Sequence, residues 1–169
     1  MKIRETSCAS ILTRASGYLR GVCSHSLNPY VGCGYGNSSC GEGCYVRFNQ
    51  WLLRGRQWGS FVDVKVNADK VYYKTVQAER RWAARRGVPF SIFFSSSTDP
   101  WQPVERKFRV THRVLNAMLE EVPDILILQT HSSMILEDMK CIVALDRLCD
   151  LRVHISIEGD QDSLPGLPP

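Results

Sequence analysis

Three thiols stand within twelve positions of the chain, Cys33, Cys40 and Cys44, in the stretch GCGYGNSSCGEGCYV. Four glycines are interleaved with them, Gly34, Gly36, Gly41 and Gly43. Thiols at this density suit a disulfide, a zinc ion or an iron–sulfur cluster. A disulfide would use two and strand the third. Structural zinc takes four ligands, commonly from C-x2-C pairs. The spacing here is C-x6-C-x3-C, so Cys23 or His25 would have to complete a zinc site. An iron–sulfur cluster suits thiolates carried on one glycine-rich loop. Glycines let the backbone wrap a cluster and direct N–H groups at its sulfides. With three protein ligands, the fourth iron of a [4Fe–4S] cluster is open to a substrate or cofactor. An open iron separates a reactive centre from an electron-transfer one.

The remaining composition bounds the protein around that loop. A chain of 169 residues, 44% hydrophobic and 22% charged, is large enough to bury one core. No apolar run reaches the roughly 18 residues of a membrane span. The N-terminus, MKIRETSCASILTRASG, lacks the apolar stretch of a secretory signal. A cytoplasmic location is therefore expected, and in that reducing compartment clustered thiols point to metal or redox chemistry. Cys141 and Cys149 fall in a helical pattern and read as small buried hydrophobes. The net charge of +4 is weighted toward RFNQWLLRGRQW and AERRWAARRG, a distribution that suits a polyanion and equally a solvated helix face.

Elements that would position the loop follow from periodicity. Residues 1–27 show no clear period and read as an irregular lead-in to a core spanning 28–169. YVRFNQWLLRG reads as a short helix ending at Gly55, and FVDVKVN (61–67) as a short extended segment. DKVYYKTVQAERRWAARRG reads as a helix capped by Asp69. PFSIFFSSS (89–97) is a strand running into a polar loop, and 104–121 keeps helical spacing. DILILQTH (124–131) reads as a buried parallel strand, 136–150 as a helix and LRVHISIEG (151–159) as a strand. In the last strand Val153, Ile155 and Ile157 alternate with His154, Ser156 and Glu158. Strand and helix thus alternate three times, which predicts a parallel α/β arrangement with ligands at the C-terminal strand ends. Ser95–Asp99, Gln129–Ser133 and Ser156–Glu158 place polar groups at three such ends, on the rim expected to carry the cysteine loop. The ending DSLPGLPP reads as a linker, so about four strands are expected, as in a truncated barrel or a small open sheet.

HSLNPYVGC, followed by the spaced cysteines and CYVR, resembles the radical S-adenosylmethionine proteins related to spore photoproduct lyase, the DNA repair photolyase-like group. The likeness continues in DVKVN, SSSTDPWQPVE, ILQTHSSMILEDM and VHISIEGDQDSLPGLPP, and so runs from about Ser10 to the end. It implies the N-terminal portion of a partial (β/α) barrel. It also implies a [4Fe–4S] cluster on Cys33, Cys40 and Cys44, with S-adenosylmethionine chelating the fourth iron. One electron from a reductant such as a flavodoxin or ferredoxin would then cleave the sulfonium to methionine and a 5′-deoxyadenosyl radical. By position, Tyr45 would pack near the adenosyl group, and Ser96, Ser97 and Asp99 would meet the methionine amino group. His131 would meet its carboxylate and Ser156 the ribose.

Two departures qualify what the resemblance implies. The cysteine loop is longer than the common C-x3-C-x2-C, by three residues in the first gap and one in the second. The strand SIFFSSSTDP also lacks the cysteine with which the lyase returns a hydrogen atom to its product, so repair of spore photoproduct itself is not expected. A nucleic-acid substrate would meet Arg47, Arg54, Arg56, Arg80, Arg81, Arg85 and Arg86, with binding that weakens steeply in salt. The competing expectation is a non-catalytic zinc or iron–sulfur module, or an inactive fragment of such an enzyme.

Overall fold

A computed structural model describes residues 1–157, 159 and 167. The chain is mixed α/β with two sheets. β1 (Lys2–Thr6), β4 (Tyr30–Val31) and β5 (Phe61–Lys65) form the smaller, in the order β1-β5-β4. β2 (Leu12–Arg14), β3 (His25–Leu27), β6 (Ser91–Phe94), β7 (Ile125–Thr130) and β8 (Asp150–Ile155) form the larger, in that order. β3, β6, β7 and β8 run parallel, and β2 is antiparallel to β3.

The strand pairing departs from the sequence expectations. The four parallel strands and the antiparallel β2 form one five-stranded sheet, and no barrel is shown. The segment read as the first strand of the series, β5, pairs instead with β1 and β4. Nor are residues 1–27 an irregular lead-in, since they hold three strands and a 3-10 turn at Gly17–Gly21. The pattern hides them for physical reasons. β1 is held by its ladder to β5 and is largely exposed, so it needs no apolar face. β3 is buried along its whole length yet polar, because its partners are built in. Ser24 Oγ donates to the Ser91 carbonyl at 2.9 Å, and His25 Nε2 sits 3.0 Å from Glu79 Oε2.

The helices cover one face of the large sheet. α1 (Ser39–Gly43) and α2 (Gln50–Leu53) are single turns in the cysteine region. α3 (Ala68–Arg85) packs on α5 (Val110–Glu120), and α5 packs on α6 (Met139–Asp146). Ile92, Phe94, Leu126 and Leu128 of the sheet meet Val76, Leu115, Met118 and Leu145 of these helices in one core. Val62 and Val64 of the small sheet join the same core, as does Cys141. Among the described residues the other face carries a small cluster around Cys23, Phe93 and Ile127.

The helix read over 104–121 is two. α4 (Glu105–Phe108) stops at Arg109, whose φ of 49° is left-handed, and α5 begins at the next residue. The buried Glu105 carboxylate accepts the Thr111 and His112 N–H groups at 3.0 and 3.1 Å, capping α5 from within α4. α3 is led by Asn67 rather than Asp69, and the Asn67 amide exchanges two hydrogen bonds with the Cys8 backbone. Among the described residues β8 is one edge of the sheet, with Val153 and Ile155 exposed, as is Ile157 beyond it. The linker expectation for DSLPGLPP and the placement of Glu158 fall, Leu167 apart, outside the described residues.

Candidate functional site

β3 and β4 are joined by only Asn28 and Pro29, so the chain changes sheets there and runs from β4 directly into the cysteines. The cysteine loop therefore leaves the small sheet beside the C-terminal ends of β6 and β7. Between them lies a small cavity that is partly open to solvent. Its wall includes Cys33, Cys40, Cys44 and Tyr45 from one side. Ser95–Asp99, Gln129 and His131 line it from the other. Of the nine residues that the resemblance assigns to the cluster or to S-adenosylmethionine, eight are on this wall and Ser156 is not. Its N–H donates to the Thr130 carbonyl at 3.0 Å, continuing the ladder one strand further out.

The loop after β6 is gripped by one residue that the pattern did not single out. Asn28 Oδ1 accepts from Ser95 Oγ, from Ser97 N at 2.9 Å and from Ser97 Oγ at 3.0 Å. Asn28 Nδ2 donates to Ser96 Oγ at 3.3 Å. The only hint of this in the sequence was an Asn-Pro turn pair close before the cysteines. Cys33 is bracketed by the same loop. Thr98 Oγ1 donates to the Gly32 carbonyl at 2.7 Å, and Gln102 Oε1 accepts the Gly34 N–H at 2.7 Å. Tyr35 reaches across to Ser132 Oγ at 3.1 Å.

Asp99 lines the cavity, but its carboxylate already holds the two strand ends together. It accepts from Trp101 N, Thr130 Oγ1 and His131 N, each at 2.8 Å. Burial still pushes its carboxyl above the usual range. Tyr45 stands at the mouth, 58% exposed, with its hydroxyl donated to the Ser96 carbonyl.

The thiols meet a cluster's requirements in part. None is in a disulfide, and all three line one cavity. Soft thiolates are the donors that clusters and zinc select. Backbone packs against backbone without intervening side chains here, since a Cβ on Gly41 would lie 2.2 Å from the Gly36 carbonyl oxygen. Burial raises the Cys33 thiol to about 11, so ligation there must release a proton. Among the described residues no three His, Cys, Asp or Glu side chains are already arranged to hold a metal ion.

The candidate arginines fall into two groups. Arg47, Arg54 and Arg56 follow the cysteine loop, where Arg47 pairs with Glu42 at 2.9 Å and Arg56 with Asp63 at 2.9 Å. Arg80, Arg81, Arg85 and Arg86 lie on or just after α3, toward the start of β6. Arg80 pairs with Asp124 at 3.3 Å, and Arg86 lines a separate cleft with Ser24, Ser91 and Ile125. These are N-terminal strand ends, so that group faces away from the thiols.

An uncharacterized protein of Methanocaldococcus jannaschii is 32% identical to this chain over 115 residues. The match covers 67% of this chain and 37% of that protein, so the chain corresponds to little more than a third of its relative. No family model matches the chain, and no solved structure does. No helix among the described residues is long and apolar enough to cross a membrane.

Proposed function

We propose that this chain is the cluster-bearing portion of a radical S-adenosylmethionine enzyme. In this reading Cys33, Cys40 and Cys44 hold a [4Fe–4S] cluster, and the ends of β6 and β7 bind S-adenosylmethionine. The observation that carries the reading is that one cavity is walled by all three thiols and by Ser96, Ser97, Asp99 and His131. Such a cluster, with S-adenosylmethionine and one electron from a flavodoxin- or ferredoxin-like donor, supplies a 5′-deoxyadenosyl radical for hydrogen abstraction.

The chain's own residues do the positioning. Asn28 fixes the serine loop, so Ser96 and Ser97 present oxygen lone pairs to an ammonium group at set places. His131 lines the cavity with its backbone N–H fixed by Asp99, and in this reading it would meet the carboxylate of S-adenosylmethionine. Tyr45 walls the mouth and limits water entry. A cytoplasmic setting would keep the thiols reduced.

A nucleic acid is the substrate class to which this reading extends. Phe48 and Trp51, 76% and 81% exposed, follow the last cysteine with Arg47 and Arg54 against their rings. Aromatic faces interleaved with guanidinium groups suit stacked bases and phosphates.

Anaerobic reconstitution with iron and sulfide, followed by EPR of the reduced protein with and without S-adenosylmethionine, tests the proposal. We expect a [4Fe–4S]⁺ signal that changes when S-adenosylmethionine is added. A cluster whose signal ignores S-adenosylmethionine would leave a structural or electron-transfer centre. A colourless zinc protein would overturn the reading.

A further inference from the structure

Trp58 belongs to the small apolar cluster of Cys33, Val46, Leu53 and Phe61, with Cys44 packed against it. It is 8% exposed and lines the thiol cavity, and it also borders a second cleft with Asn37, Gln50 and Arg56. Its indole N–H is buried and has no hydrogen-bond acceptor among the described residues. Indole nitrogen is a donor only, and a buried donor without an acceptor is costly. The contrast within this chain is direct, because Trp101 is also buried and donates its N–H to Asp138 Oδ2 at 2.7 Å. Among the described residues Trp58 has the same need but no carboxylate or carbonyl to meet it. The chemistry that the three thiols would bring into this cavity is an acceptor, anionic sulfur as thiolate or sulfide.

We infer that the Trp58 indole N–H is a hydrogen-bond donor to a sulfur of the group held by Cys33, Cys40 and Cys44, and that it tunes that group's reduction potential. The inference rests on the iron–sulfur reading of the site. A donor aimed at sulfur favours the more negative, reduced state, so it raises the potential. Trp58 acts through the ligated sulfur and is a positioning residue.

The test is Trp58→Phe in the full chain, which keeps an aromatic ring and removes the N–H. Iron and sulfide content are measured first, then the potential by EPR-monitored redox titration. Trp51→Phe, at an exposed indole near the same loop, is the control. The expected result is a more negative potential for Trp58→Phe only, by up to about tenfold in the reduction equilibrium, or 59 mV for one electron. Independently, pulsed EPR of wild-type protein carrying ¹⁵N-indole tryptophan should show an indole nitrogen coupled to the reduced cluster. This second measurement decides the matter if Trp58→Phe fails to fold or load. A wild-type cluster with no ¹⁵N coupling, or a loaded Trp58→Phe with an unchanged potential, overturns the inference while leaving the cluster reading intact. A wild-type chain that assembles no cluster overturns both.

Discussion

His25 sits in β3 with a fully buried side chain, edge-on to Trp82 and Phe90 at 5.2 Å each. Burial lowers its pKa, and the opposing pull of Glu79 is smaller. The unfolded chain binds the His25 proton near pH 6.5 while the native state does not, so acidification through about 6.5 must cost stability. Glu79, held low chiefly by the Arg14 guanidinium, adds a further loss as pH falls below about 4.5. Urea unfolding at pH 7.5 and 5.5 should give a lower midpoint at 5.5. In His25→Phe, which keeps a ring in the stack and cannot titrate, the difference between the two pH values should shrink. An unchanged pH dependence in that variant would remove His25 as its source. The residue itself was invisible as a core position, because a histidine between two serines carries no apolar signal.

At the scale of elements, the cysteine loop is shaped by backbone contact. Gly36 and Gly41 touch each other, and a Cβ on Gly36 would lie 2.4 Å from the Gly59 Cα. Gly43, in the same glycine run, has open space where its Cβ would be. Gly36→Ala and Gly41→Ala should each destabilise the protein by about 1–3 kcal/mol, as overpacking does, and should lower iron uptake. Gly43→Ala should be near neutral in thermal unfolding and in iron content. Equal losses at all three positions would show that loop flexibility matters and that contact does not. The sequence made the thiols and their glycines conspicuous but could not rank the glycines, because close approach depends on which backbone lies opposite. The same limit hid the break at Arg109. The apolar spacing of 104–121 is unbroken, and only the folded position of Glu105 over the start of α5 shows two helices.

At the scale of the whole molecule, three of the four strands expected from the sequence are neighbours in one sheet, β6, β7 and β8. The polar ends of the first two form one wall of the cavity. Apolar runs such as ILIL made them legible, whereas the assignment of β5 to another sheet depends on ladder partners that no local pattern encodes. That division into two sheets has a dynamic consequence. Among the described residues no strand ladder joins them. Beside the cavity the seam is closed by side chains: Thr98 on Gly32, Gln102 on Gly34 and Tyr35 on Ser132. Such a seam can breathe without unravelling either sheet. A molecule bound to the thiols and to the serine loop together would rivet it shut, adding stability as its concentration rises above Kd. Amide hydrogen exchange should therefore slow most at Gly34 and Gly36 on loading and least at Leu126 and Leu128 in the centre of β7. Uniform slowing would mean that the two sheets already open and close as one body.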